Sequence, residues 1–154
     1  MIWFRVDNRL IHGQIIEAWI PWTGARLLLV FNDALAADEL QQMVVGMAVP
    51  SRIRVELLPV AASPVRCRAI EEEGEDAMAL FGDCPDARRA MELGLAMSTI
   101  NLGNLHFSQG KRQVCPHISL SNYDQTCLQY FREHDVDLDF RCVPGVPVIL
   151  QEWT

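Results

Sequence analysis

The residues able to do chemistry crowd into one stretch near the amino terminus: Arg5, Asp7, Arg9 and His12, followed by Gly13 and Gln14. Two arginines, a carboxylate and a histidine within eight positions suit a phosphoryl group carried on an imidazole. A neutral imidazole nitrogen is a competent nucleophile near neutral pH, and the P–N bond it forms is labile enough to hand the group on. Arginine offers a bidentate fork to phosphoryl oxygens and keeps its charge throughout. Gly13 lets backbone approach closely, and a helix beginning after it would turn its free amides toward an anion. The same helix terminus is expected to disfavour protonated His12, which keeps the nucleophile available. Asp7 has two possible tasks, orienting the imidazole or restraining Arg9, and the spacing leaves both open. A histidine in an apolar setting is also commonly a packed structural residue, and a single His-Gly pair does not exclude that.

The elements that must hold these residues alternate between strand and helix. Ile2–Val6 reads as a strand broken by Asp7-Asn8, and Gln14–Trp19 as a short helix ended by Pro21. Arg26–Phe31 is a continuous apolar run, the pattern of a strand covered on both faces. A helix over Ala36–Met47, a strand over Ile53–Leu58 and a helix capped by Ser63 before Pro64 follow. Ala77–Phe81 is another buried strand; Asp83-Cys84-Pro85 opens a helix that Gly94 ends. Thr99–Leu102 is a strand running into the Gly103-Asn104 turn. Gln113–Leu120 adds a strand at an edge, because Pro116 cannot donate to a ladder. Ser121 and Asp124 have the spacing of a capping box, and Val136–Val143 and Val146–Leu150 close the series as strands.

This alternation predicts a single α/β domain over residues 1–154: an open, largely parallel sheet with helices on both faces. Ligands of such sheets bind at the carboxyl ends of the strands. The rule selects the loops Asp7–Gly13, Asn32-Asp33, Gly82–Pro85 and Gly103–His106, and His12 lies in the first.

Composition narrows the function. Half of the 154 residues are hydrophobic and 21% are charged, as in an ordinary globular chain. A net charge of −7 disfavours nucleic-acid binding, which needs clustered cations. No apolar run is long enough to cross a bilayer, and Met1–Arg5 does not read as a signal peptide, so a cytoplasmic location is expected. The five cysteines lack a C-x-x-C pair, which argues for reduced thiols and against a metal site. Gly103 to Lys111 lacks the spacing of a nucleotide-binding loop, and no serine has an acid–base pattern around it. His106, after the Gly103 turn, could border the site; His117 and His134 read as structural or exposed. Trp3, Trp19 and Trp22, near the first loop, read as core or interface residues.

The string Arg5-Val6-Asp7-x-Arg9-Leu10-Ile11-His12-Gly13-Gln14 resembles the active-site signature of mannose/sorbose-family IIB subunits of sugar phosphotransferase systems. The resemblance continues at Asn32-Asp33-x-x-Ala36-x-Asp38, Leu80-Phe81, Asn101-Leu102-Gly103 and His106-Phe107-x-x-Gly110-Lys111-x-Gln113, and so spans nearly the whole chain. It implies an open α/β sheet, phosphorylation of His12, and a phosphate contact from Arg9 with Gly13 and Gln14 beside it. Arg5, Asp7 and His106 would support the site. It further implies a phosphorylated IIA protein as donor, a sugar held by membrane-embedded IIC and IID subunits as acceptor, and no cofactor, nucleotide or metal taking part directly. A homodimer is compatible with the resemblance. Two positions depart from the family: Gly82 stands where relatives often carry Ser or Thr, and Asn104 where they carry a second glycine. A regulatory relay, in which phosphorylated His12 controls a partner instead of feeding transport, is the alternative reading.

Overall fold

The computed structural model describes residues 1–154. Eight strands form: β1 (Ile2–Asp7), β2 (Leu27–Phe31), β3 (Arg54–Leu58), β4 (Ala77–Phe81), β5 (Thr99–Asn104), β6 (Arg112–Cys115), β7 (Ile118–Leu120) and β8 (Asp137–Asp139). Six of them make one sheet in the order β3-β2-β4-β1-β5-β8, and every pairing in it is parallel. The helices are α1 (Ile20–Thr23), α2 (Asp33–Ala36), α3 (Glu39–Ala48), α4 (Ser63–Glu73), α5 (Cys84–Glu92) and α6 (Asn122–Glu133). The expected α/β sheet with helices on both faces is therefore the fold.

The two faces follow from strand alternation. Phe4, Val6, Leu27, Leu29, Ala79, Phe81, Ile100 and Leu102 point into the larger core. There they meet Cys67 and Ile70 of α4, Ala87 and Ala90 of α5, and Leu128 and Phe131 of α6. Leu28, Val30, Met78 and Leu80 point the other way and pack on Ile15, Trp19 and Ile20. The chain thus leaves β1 toward one face, whereas its neighbours β4 and β5 lead to helices on the opposite face. Such a reversal at the carboxyl end of β1 is the place where ligands of open α/β sheets bind.

Several boundaries differ from the sequence-based expectations, each for a local reason. The first helix begins at Gly13 and runs past Pro21 to Thr23, through a π-helical turn over Ile15–Trp19. A proline ring crowds the carbonyl four residues earlier in an α-helix; the wider π turn removes that conflict. The expected Ala36–Met47 helix is two helices, because the Asp38 side chain accepts from the amide of Gln41 and starts α3 anew. Ser63 does not cap α4: a 3-10 turn over Val60–Ala62 precedes it, and its hydroxyl donates to the Val60 carbonyl. Gln113–Leu120 is not one strand but an antiparallel hairpin, with Pro116 and His117 at its turn. The last sheet strand is only Asp137–Asp139, because the Asn101 side-chain amide takes over the carbonyls of Asp139 and Arg141 beyond it. Val146–Leu150 forms no strand. The capping box at Ser121 and Asp124 is present as expected.

One glycine of β5 is fixed by packing. A Cβ built on Gly103 would lie 1.9 Å from Cζ of Arg5, which crosses directly over it. Gly103→Ala must displace that guanidinium from its buried partners, at an expected cost of about 3–5 kcal/mol. Equilibrium denaturation of the two proteins measures it, and a near-zero difference would show that Arg5 can move without loss.

Candidate active site

The site is built on an ion pair inside the sheet. Arg5 and Asp7 alternate with Phe4 and Val6, so they point to the face opposite the larger core, and both side chains are fully buried. Arg5 donates to Oδ2 of Asp7 through Nη2 at 2.9 Å and Nε at 3.2 Å. Its remaining donors reach the Asn101 side chain, the Cys142 carbonyl and Oε1 of Gln14. The Trp19 ring lies 5.0 Å from its Cζ and closes the pocket. Burial pulls the Arg5 pKa down, partly offset by Asp7.

Asp7 uses its two oxygens for different tasks. Oδ1 accepts the Arg9 amide at 3.0 Å and so ties down the loop backbone. Oδ2 lies 2.8 Å from Nε2 of His12 and 2.8 Å from Nδ2 of Asn104. Burial alone would raise the Asp7 pKa, but the hydrogen bonds from His12 and Asn104 and the charge of Arg5 bring it down to about 2. An ionised carboxylate only accepts, so Nε2 of His12 carries the proton of that bond and Nδ1 is the ring nitrogen with a free lone pair. Nδ1 has no protein partner, and no buried side-chain polar atom is unpartnered, so this nitrogen faces the surface. Both tasks left open for Asp7 are carried out by one side chain.

The loop from Asn8 to His12 is held from three sides. The Asn8 side chain donates to the Gly82 carbonyl after β4 at 2.7 Å and accepts the His106 amide after β5 at 2.7 Å. Its own amide donates to the Asn104 carbonyl. Leu10 takes a left-handed φ of 56°, which folds the loop back so that His12 returns over Asp7. The helix starts directly after His12, whose carbonyl accepts from Ile15 and Ile16. That leaves the amides of Gly13 and Gln14 in its first turn, where helix amides lack intrahelical acceptors.

The structure brings Arg5, Asp7, His12 and Gln14 into one hydrogen-bonded group. The Arg9 side chain extends at the rim, 40% exposed, with Nε 3.8 Å from Asp7. Gly13 is exposed, and a Cβ there would touch nothing. The Gln14 side chain turns inward: Oε1 faces Arg5 and Asn104, and Nε2 donates to Sγ of Cys142 at 3.2 Å. The His106 side chain is exposed and makes no hydrogen bond to His12. Gly82 contributes a carbonyl to Asn8 and has no hydroxyl to offer. Asn8, Asn101, Asn104, Trp19 and Cys142 complete the site, although none of them stands out in the sequence as a functional residue. The available signals were Asn101 within a family-like string, Asn104 as a departure from the family, and a recurrence of asparagines at strand ends, which turn chemistry explains equally well. A cavity of about 680 Å³ between Trp3, Trp22, Met97 and Arg141 lies at the amino ends of β1 and β5 and not at His12.

Asp7 binds its proton less readily in the folded chain than in the unfolded one, where 3.8 is usual. Its contribution is therefore present above about pH 4 and lost as pH falls toward 2, amounting to roughly 2 kcal/mol. Denaturation curves at stepped pH should show this acid-dependent loss, and Asp7→Asn should be less stable at pH 7 with a flatter dependence between pH 4 and 2. An unchanged slope in the variant would place the acid sensitivity elsewhere.

Residues 1–147 match the family described as the sorbose-subfamily IIB component of the PTS system. The N-acetylgalactosamine-specific phosphotransferase enzyme IIB component 1 of Escherichia coli K12 is 30% identical over 147 residues, covering 92% of this chain and 89% of that one. The mannose-specific EIIAB component of the same strain is 29% identical over 143 residues, which cover 93% of this chain and 44% of that protein. The crystal structure of the IIBSor domain of the Klebsiella pneumoniae sorbose permease superposes with a TM-score of 0.87 at 25% identity, over 97% of this chain and 92% of that one. Fold and sequence agree over nearly the whole length, and the chain belongs to the sorbose-subfamily IIB components, the phosphocarriers of sugar phosphotransferase systems.

Proposed function

We propose that His12 is the carrier residue and that the phosphoryl group resides on its Nδ1. The observation that carries this reading is the 2.8 Å contact between Oδ2 of Asp7 and Nε2, which leaves Nδ1 as the free, outward nucleophile. In the loading step the Nδ1 lone pair forms a new P–N bond as the P–N bond of a donor phosphohistidine breaks. In the unloading step that bond breaks, a P–O bond forms to a sugar hydroxyl, and the hydroxyl proton is released. Nε2 keeps its proton in both steps, steadied by Asp7. Transfer between such groups depends on alignment and charge stabilisation more than on acid–base chemistry.

Arg9 is the phosphate-facing cation. It is partly exposed at the rim, its backbone is fixed to Asp7, and its guanidinium sits beside His12's loop with a long contact to Oε1 of Gln14 at 3.4 Å. The amides of Gly13 and Gln14 supply the helix-terminal donors. Gly13 leaves open space beside His12 for the approach of a phosphorylated residue. The donor is a phosphorylated IIA protein or domain, a pairing supported by the fused name of the mannose-specific relative. The acceptor is a sugar held by membrane IIC and IID subunits. No helix of this chain is long and apolar enough to cross a membrane, which fits a carrier acting from the cytoplasm beside them.

Intact-mass spectrometry after incubation with a phosphoenolpyruvate-driven mixture and a compatible IIA donor tests this reading. The expected result is an acid-labile phosphate adduct on the wild type and none on His12→Ala; an adduct that persists on the variant would move the carrier to another residue. Arg9→Ala should be loaded about a hundredfold more slowly while folding normally. Loading at the wild-type rate would remove Arg9 from the phosphate site.

A further inference from the structure

The Oδ2 atom of Asp7 is oversubscribed. Four N–H groups converge on it: Nη2 of Arg5 at 2.9 Å, Nε of Arg5 at 3.2 Å, Nδ2 of Asn104 at 2.8 Å and Nε2 of His12 at 2.8 Å. A carboxylate oxygen has about two lone-pair sites, so these donors compete for the same electron density. The Arg5 share is fixed by the buried ion pair. Asn104 is the discretionary donor: it is neutral, nearly buried, and anchored by a second contact from Nδ2 to Oε1 of Gln14 at 3.3 Å.

We propose that Asn104 is a positioning residue that weakens the grip of Asp7 on His12 and so keeps the phosphoryl group on His12 readily transferable. The inference rests on the carrier role of His12 and adds a control over it. When Nδ1 takes the phosphoryl group and Nε2 keeps its proton, the ring acquires positive charge, and Oδ2 of Asp7 is the group that steadies it. A strong Asp7 acceptor would stabilise phosphohistidine and retain the group; an acceptor shared with Asn104 stabilises it less. The same competition acts on the protonated ring of the unloaded protein, because it too is a cation bonded to Oδ2 through Nε2. Other charges facing His12 are Arg5 across the carboxylate and Arg9 in its own loop, and the Cys142 thiol adjoins the network through Gln14. Replacing Asn104 also takes one donor from Oε1 of Gln14, which still accepts from Arg5 and Arg9.

Asn104→Ala and Asn104→Gly both remove the competing donor, and the glycine leaves no side chain to accommodate. Proton NMR of His12 across pH should show its titration midpoint raised by about half a unit in either variant, and the phosphoryl group partitioned about threefold further from the IIA donor onto His12. Correctly folded variants with an unmoved midpoint and unmoved partition would overturn the proposal. The wild type gives a check that needs no substitution: the Asn104 side-chain amide signals should shift as His12 titrates, and their constancy would also overturn it. Failure of the wild type to accept phosphate would count against the carrier role instead, and the titration of the unloaded protein would still decide whether Asn104 and His12 are coupled.

Discussion

A fully buried arginine beside a fully buried aspartate, in the central strand of a parallel sheet, sets the terms for everything around it. Desolvating both charges is expensive, and the cost is offset only if every donor and acceptor is matched. Arg5 and Asp7 meet that condition by recruiting Asn101 and Gly103 from β5, Gln14 and Trp19 from the first helix, and the carbonyl of Cys142 from the loop after β8. Segments far apart in sequence must therefore converge on one point before the pair is tolerable. The pair acts less as a store of stability than as a specification of which loops belong together.

His12 benefits from that specification without being part of its interior. A carboxylate already fixed by a guanidinium cannot follow the imidazole, so the imidazole must follow the carboxylate. Asn8 adds a crossbar, joining the ends of β4 and β5 above the strand that carries it. Nδ1 of His12 is thereby placed at the surface while Nε2 is anchored beneath. An exposed ring nitrogen suits the carrier role proposed for His12, in which one atom meets first a donor and then an acceptor.

Much of this was legible in the sequence, and what was not has physical causes. The apolar runs Leu27–Phe31 and Ala77–Phe81 are central strands because they must be covered on both faces, and their composition shows it. Arg5, Asp7, Arg9 and His12 stood out by type and spacing. The supporting asparagines did not, since Asn8, Asn101 and Asn104 act across strands, and register is a tertiary property that no local pattern encodes. Asp38 restarting a helix and Asn101 ending β8 are likewise side-chain hydrogen bonds overriding a continuous apolar pattern. The two positions noted as departures turned out unequal: Gly82 offers only its carbonyl, whereas Asn104 enters the network.

The π-helical turn has a consequence for how this network could arise or be lost. In an α-helix, residues five apart stand nearly a turn and a half from each other and face different ways. Here the Ile20 amide bonds to the Ile15 carbonyl, and the widened turn lets Gln14 and Trp19 address the same residue, one through the thiol of Cys142 and the other through its carbonyl. The extra residue works as a phase shifter between the His12 end of the helix and its buried end. Removing one residue from Ile15–Trp19 would leave the apolar content almost unchanged while rotating Gln14 away from Arg5, so length, rather than identity, is the hidden constraint on this segment.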